Sequence, residues 1–248
     1  MKSIYDIKYK NGLCLDIHLP EGEEYDLFVY FHGGGLVKGK RGGVEVFAQA
    51  LAKRGIATAS VEYRLMPSAE FPDFIEDSAD AIRWLVDHAQ DYGRLNRIFV
   101  GGSSAGGYIS MMLCFDERYL ARVGMKPTDI AAYIHDAGQP TAHYNVLKSR
   151  GIDPKRVIVD EIAPLYFVGM AEKYSPMLFI VSDNDMFGRY EQTMMTIRAL
   201  EDFGHKDKIS FELINGSHCD YVYKADDEGR GKFANIILPF FEKLGMGR

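Results

Sequence analysis

The chain has 248 residues, of which 47% are hydrophobic and 26% charged, with 29 Lys and Arg against 35 Asp and Glu for a formal net charge of −6. That balance excludes a disordered tail, a collagen-like repeat and a disulfide-stapled miniprotein, and it points to one α/β-sized core. An acidic chain also lacks the basic footprint of a nucleic-acid protein, so no nucleic-acid partner is expected.

The first residues alternate polar and apolar side chains like a strand and contain no signal-peptide-like apolar stretch. No apolar run reaches the roughly 18 residues that a membrane-spanning helix needs, so no membrane span is expected. Cys14, Cys114 and Cys219 are too widely spaced for a metal knuckle and odd in number, which fits a reducing compartment. The expectation is a cytoplasmic protein.

Residues 4–10 and 13–20 are short alternating stretches on either side of Asn11-Gly12, a strong hairpin signal. Short β-branched and aromatic runs follow at residues 25–32, 56–63, 97–101, 130–135, 176–182 and 209–214, and they read as buried parallel strands. Helical stripes separate them: Val44, Phe47, Ala48 and Leu51; Ile75, Ala79, Ile82, Val86 and Ala89; and finally Phe233, Ile236, Ile237, Phe240 and Leu244. Alternation of this kind predicts an α/β fold, a mostly parallel sheet with helices on both faces, preceded by an antiparallel hairpin. Ligands of such sheets bind beyond the carboxyl ends of the strands. Residues 139–174 carry three prolines and no clear strand, and they read as a small cap or lid inserted in a single domain spanning 1–248.

Directly after the strand at 97–101 stands Gly102-Ser103-Ser104-Ala105-Gly106-Gly107, followed by a helical segment. This is G-x-S-x-G in its strand, turn, helix setting, and the register makes Ser104 the exposed hydroxyl of a sharp turn. The first core strand runs into His32-Gly33-Gly34-Gly35. Amides of Gly34, Gly35 and Ala105 are the expected oxyanion donors, because only glycine lets the backbone turn its N–H groups inward. Gly34 to Lys40 also spells most of a phosphate-binding loop, but Arg41 stands where that motif needs Ser or Thr.

A serine nucleophile needs a base, and His218 lies in the loop after the last core strand, at the nucleophile's end of the sheet. A carboxylate must orient it, and the strand at 176–182 delivers Asp183-Asn184-Asp185 at its carboxyl end. Asp185, farther into the loop, is the favoured partner and Asp183 the alternative. His32, Ser103 and His135 are candidate substrate contacts. Lys148, Arg150, Lys155 and Arg156 form a loose basic group in the inserted segment, read as solvated surface.

With these residues in hand, the chain resembles the α/β-hydrolases, and most closely the hormone-sensitive lipase-like, HGGG-type esterases. The resemblance runs through His32-Gly33-Gly34-Gly35, Tyr63-Arg64-Leu65-Met66-Pro67 with Phe71-Pro72 and Glu76-Asp77, and the Ser104 block. It implies a serine carboxylesterase for short-chain or small aryl esters, with a small-molecule ester as partner and no cofactor or metal. A homodimer is compatible with it. Members usually carry Asp before the nucleophile, where this chain has Ser103, and Asp-Pro-Leu where it has Asp185-Met186-Phe187. The family's helical N-terminal cap has no counterpart. An amidase of arylformamidase type with the same triad, or a ligand receptor on a hydrolase fold, are the alternatives.

Overall fold

A computed structural model describes residues 1–245 of the chain. Eight strands form one sheet in the order β1-β2-β4-β3-β5-β6-β7-β8. Strands β1 (Lys2–Lys10) and β2 (Leu13–Leu19) make the predicted hairpin, with Gly12 at φ 75° in its turn. Strand β2 pairs antiparallel with β4 (Ile56–Val61), and every later pairing is parallel. These are β3 (Glu24–Phe31), β5 (Arg94–Ser103), β6 (Ala132–Asp136), β7 (Met177–Asn184) and β8 (Ile209–Ser217).

Both sheet faces are covered, which is why the central strands read as unbroken apolar runs. Helices α1 (Glu45–Ala52) and α7 (Lys232–Lys243) bury Phe47, Leu51, Phe233, Ile237 and Phe241 on one face. On the other face lie α2 (Asp73–Asp87), α3 (Ala105–Phe115) and, after the short helices α4 (Glu117–Ala121) and α5 (Tyr144–Ser149), α6 (Arg189–Asp202).

Helix α6 escapes the apolar-stripe test for a physical reason. Its buried positions, Arg189, Thr193, Thr196, Ile197 and Leu200, keep helical spacing, but three of the five are polar. Thr193 and Thr196 satisfy their hydroxyls by donating to carbonyls one turn back, Arg189 at 2.9 Å and Gln192 at 2.9 Å, so a polar face can be buried.

Between β6 and β7 the chain makes its longest excursion from the sheet, holding α5 and a 3-10 turn at Pro164–Phe167. Among the bonds that tie it down, two reach its middle. Tyr108 Oη donates to the Ile162 carbonyl at 2.6 Å, and Asn145 Nδ2 donates to the Gly35 carbonyl at 2.6 Å. Among the described residues no helix is long and apolar enough to cross a membrane.

Candidate active site

The carboxyl ends of β3, β5, β7 and β8 bring the candidate residues together. Ser104 sits between β5 and α3 at φ 57° and ψ −110°, a conformation that costs a non-glycine residue on the order of 1–3 kcal/mol. The flanking glycines make that turn sterically feasible. A Cβ on Gly106 would lie 1.9 Å from the Phe31 carbonyl oxygen, and one on Gly102 would lie 2.5 Å from the same atom. The glycines of G-x-S-x-G are therefore spacers that let β3, the turn and α3 touch.

Ser104 Oγ lies 2.8 Å from His218 Nε2, and His218 Nδ1 lies 2.5 Å from Asp185 Oδ1. With the ring proton on Nδ1, His218 donates to Asp185 and its Nε2 accepts from the Ser104 hydroxyl. The Asp185 side chain is 2% exposed. Burial pushes its pKa up, but the hydrogen bond to His218, the charge of that ring and the amides of Met186 and Ser182 outweigh burial and hold it below the usual carboxylate range. Asp183 is turned elsewhere: it accepts from Asn215 Nδ2 at 2.7 Å and the Gly216 amide at 3.0 Å, fastening β7 to the end of β8.

The loop 32–43 runs over Ser104. Gly34 and Gly35 have φ 121° and 66°. A Cβ on Gly34 would collide with the Lys38 carbonyl at 1.9 Å, so the loop closes only with glycine there. Among the described residues no protein group accepts from the Gly34 or Gly35 amide. Ala105 opens α3, where a helix N–H has no partner within its own helix. A cavity of about 600 Å³ lies between this loop, Ser104, His218, Tyr144, Met186 and Tyr223.

His135 is not part of this cluster, which corrects its candidacy as a substrate contact. Strand alternation turns it to the α3 face, where it is packed among Phe115, Tyr133 and Phe179 and its Nδ1 pairs with Ser110 Oγ at 2.9 Å. Burial there drops its pKa to about 3. His32 and Ser103 border the cavity but are each 2% exposed and otherwise engaged. The His32 ring stacks on Tyr63 at 4.4 Å with Nδ1 at 2.7 Å from the Gly33 carbonyl, bracing the glycine loop. Ser103 Oγ accepts from Tyr30 Oη at 3.0 Å beneath the turn.

Asp136 is a further member of the site that no sequence motif marks. It ends β6 directly beside Ser103 in the parallel register, and its backbone carbonyl accepts from the Ser104 amide at 2.8 Å. Tyr221, three residues after His218, donates its hydroxyl to Asp136 Oδ1. Position 103 carries no carboxylate, but one thus stands beside it on the neighbouring strand. Complete burial pushes its pKa up to about 6, while the hydroxyls of Ser103 and Tyr221 and the His218 ring pull the other way. Only the strand register could have revealed it, because residues 103 and 136 are not linked by any local motif.

No three His, Cys, Asp or Glu side chains among the described residues come together as metal ligands.

Comparisons with known proteins bear on the fold and on the segment that carries the glycine loop and the Ser104 turn. The BD-FAE family model matches residues 15–122. The chain is 38% identical over 96 residues to Esterase LipI of Mycobacterium tuberculosis, a stretch covering 38% of this chain and 30% of that protein. The match thus spans about a third of the curated relative's length. Among solved structures, Esterase B of Lactobacillus rhamnosis superposes with a TM-score of 0.79 at 17% identity, covering 98% of this chain and 85% of that one. The butyrate-bound esterase Est2 of Thermogutta terrifontis gives 0.77 at 18%, covering 98% and 94%. The chain has the α/β-hydrolase fold, and its likeness to the hormone-sensitive lipase-like esterases holds across the segment that carries the HGGG loop and the Ser104 turn.

Proposed function

We propose that the protein is a serine carboxylesterase acting on short-chain or small aryl esters. The observation that carries this reading is the continuous chain Ser104 Oγ, His218 Nε2, His218 Nδ1, Asp185 Oδ1, with contacts of 2.8 and 2.5 Å. Ser104 Oγ attacks the ester carbonyl while His218 takes its proton at Nε2, and Asp185 holds the ring and stabilises the imidazolium. The carbonyl oxygen gains the charge and accepts from the amides of Gly34, Gly35 and Ala105, each such donor contributing roughly 100- to 1000-fold in rate. His218 returns the proton to the departing alkoxide, leaving an acyl group on Ser104. Water then attacks by the same route in reverse and regenerates the hydroxyl.

The cavity of about 600 Å³ suits a small acyl and alcohol pair, and the butyrate of the Thermogutta terrifontis neighbour supports a short acyl chain. Residues 139–174 act as the cap of this site, since Asn145 and Tyr144 of α5 meet the glycine loop. The three free cysteines support a cytoplasmic setting. A series of p-nitrophenyl esters tests the reading: turnover is expected to be fastest for acetate to butyrate, and Ser104→Ala to lose at least about 10⁴-fold in kcat while keeping its melting temperature. An alanine variant that retains the wild-type rate would refute it.

A further inference from the structure

The charge around the candidate site runs opposite to that of the chain. A second cavity of about 740 Å³ adjoins the first, and the two share Tyr144 and Met186 as their partition. Together they are lined by five permanent cations, Lys38, Lys40, Lys155, Arg156 and Arg189, against one acidic side chain, Glu191. The whole chain has 29 basic residues against 35 acidic ones. Lys38, Lys40, Lys155 and Arg156 make no ion pair among the described residues, although most arginines elsewhere do. Arg189 is 5% exposed, and among the described residues its side chain donates only Nη1, to the Ala137 carbonyl, and leaves Nε without a partner. It opens α6, whose N-cap residue Gly188 supplies no side-chain acceptor, so the positive end of that helix also faces the cavity. Around these cations Phe187 is fully exposed and Val157 is 65% exposed.

We propose that this second cavity is a subsite for the anionic, partly apolar portion of the substrate, so that the preferred esters bear a carboxylate. The inference rests on the hydrolase reading above and adds the substrate's charge to it. A cleft lined mainly by one sign of charge concentrates counter-charged ligands, and a buried guanidinium that has no carboxylate partner gains most from one. The apolar side chains then take the body that links this carboxylate to the ester.

The test compares 4-acetoxybenzoate with its neutral methyl ester, which differ by one charge. In the wild-type protein kcat/KM for the carboxylate is expected to exceed that for the methyl ester about tenfold at low salt, mainly through KM, and added salt should shrink the ratio. Lys155→Glu with Arg156→Glu should bring the ratio to about one. Lys148→Glu with Lys173→Glu makes the same charge change on exposed positions outside the cavity lining and should leave the ratio in place. A wild-type ratio at or below one, or an equal fall in the control pair, overturns the subsite. Hydrolysis of neither ester overturns the hydrolase reading itself and the subsite with it, whereas hydrolysis of both at equal rates overturns the subsite alone.

Discussion

Asp136 shows how one side chain can couple the site to the stability of the fold. A fully buried carboxyl whose pKa is about 6, against an ordinary 3.8, is favoured in its protonated form by folding. Between about pH 4 and pH 6 the folded protein therefore holds more of this proton than the unfolded chain, and stability falls as pH rises through that window. The difference of about two pKa units corresponds to on the order of 3 kcal/mol. Asp136→Asn removes the titration, so its unfolding free energy relative to wild type should improve by about that amount between pH 4 and pH 7 in urea titrations. A difference that stays constant with pH would contradict this account. Asp185 has the opposite sign, since its pKa is held below 3.8 and its contribution is lost only as pH falls through that lower value.

At the scale of elements, the insertion and the glycine loop behave as one unit. The backbone that offers the Gly35 amide is held from behind by Asn145 Nδ2 on its carbonyl, and the Tyr144 hydroxyl occupies the space where a Cβ on Gly35 would be. Under the proposed mechanism such an anchor acts on the geometry of the oxyanion donors more than on substrate affinity. Asn145→Ala should lower kcat about tenfold with KM nearly unchanged, the loss of one hydrogen bond being worth about 1 kcal/mol or somewhat more. A change confined to KM would show that the bond serves substrate binding instead.

The elements also show what the sequence could and could not reveal. The β1 and β2 hairpin, the core strands and helices α1, α2 and α7 follow from local signals: a turn dipeptide, apolar runs and 3.6-residue stripes. The Ser104 turn and the glycine loop follow from sterics, because their glycines are spaced by the contacts they permit. Asp136 beside Ser103, and Arg189 beneath the second cavity, depend on registers between distant segments. Helix α6 hides for a related reason, since its buried face is built from threonines and an arginine whose partners are tertiary or one turn away. His135 misled because a strand-end histidine near the site looks the same in sequence whichever way the pleat turns it.

For the molecule as a whole, the parallel sheet does the positioning. Its strands end at one rim, so residues 104, 185 and 218 converge although 81 and 33 positions separate them along the chain. A network of polar side chains on the α1 and α7 face reinforces the rim: Tyr30 donates to Ser103 Oγ and lies 3.3 Å from Tyr223 Oη, and Tyr221 donates to Asp136. The segment that follows His218 is thereby bound to the strands on either side of Ser104. The most direct measurement of this arrangement is mass spectrometry of the intact protein, acid-quenched during turnover of p-nitrophenyl acetate. One acetyl group per chain, located on Ser104 by peptide mapping and accompanied by a burst of nitrophenol, is the predicted result. Turnover with no acyl adduct, or an adduct on any other residue, would contradict it.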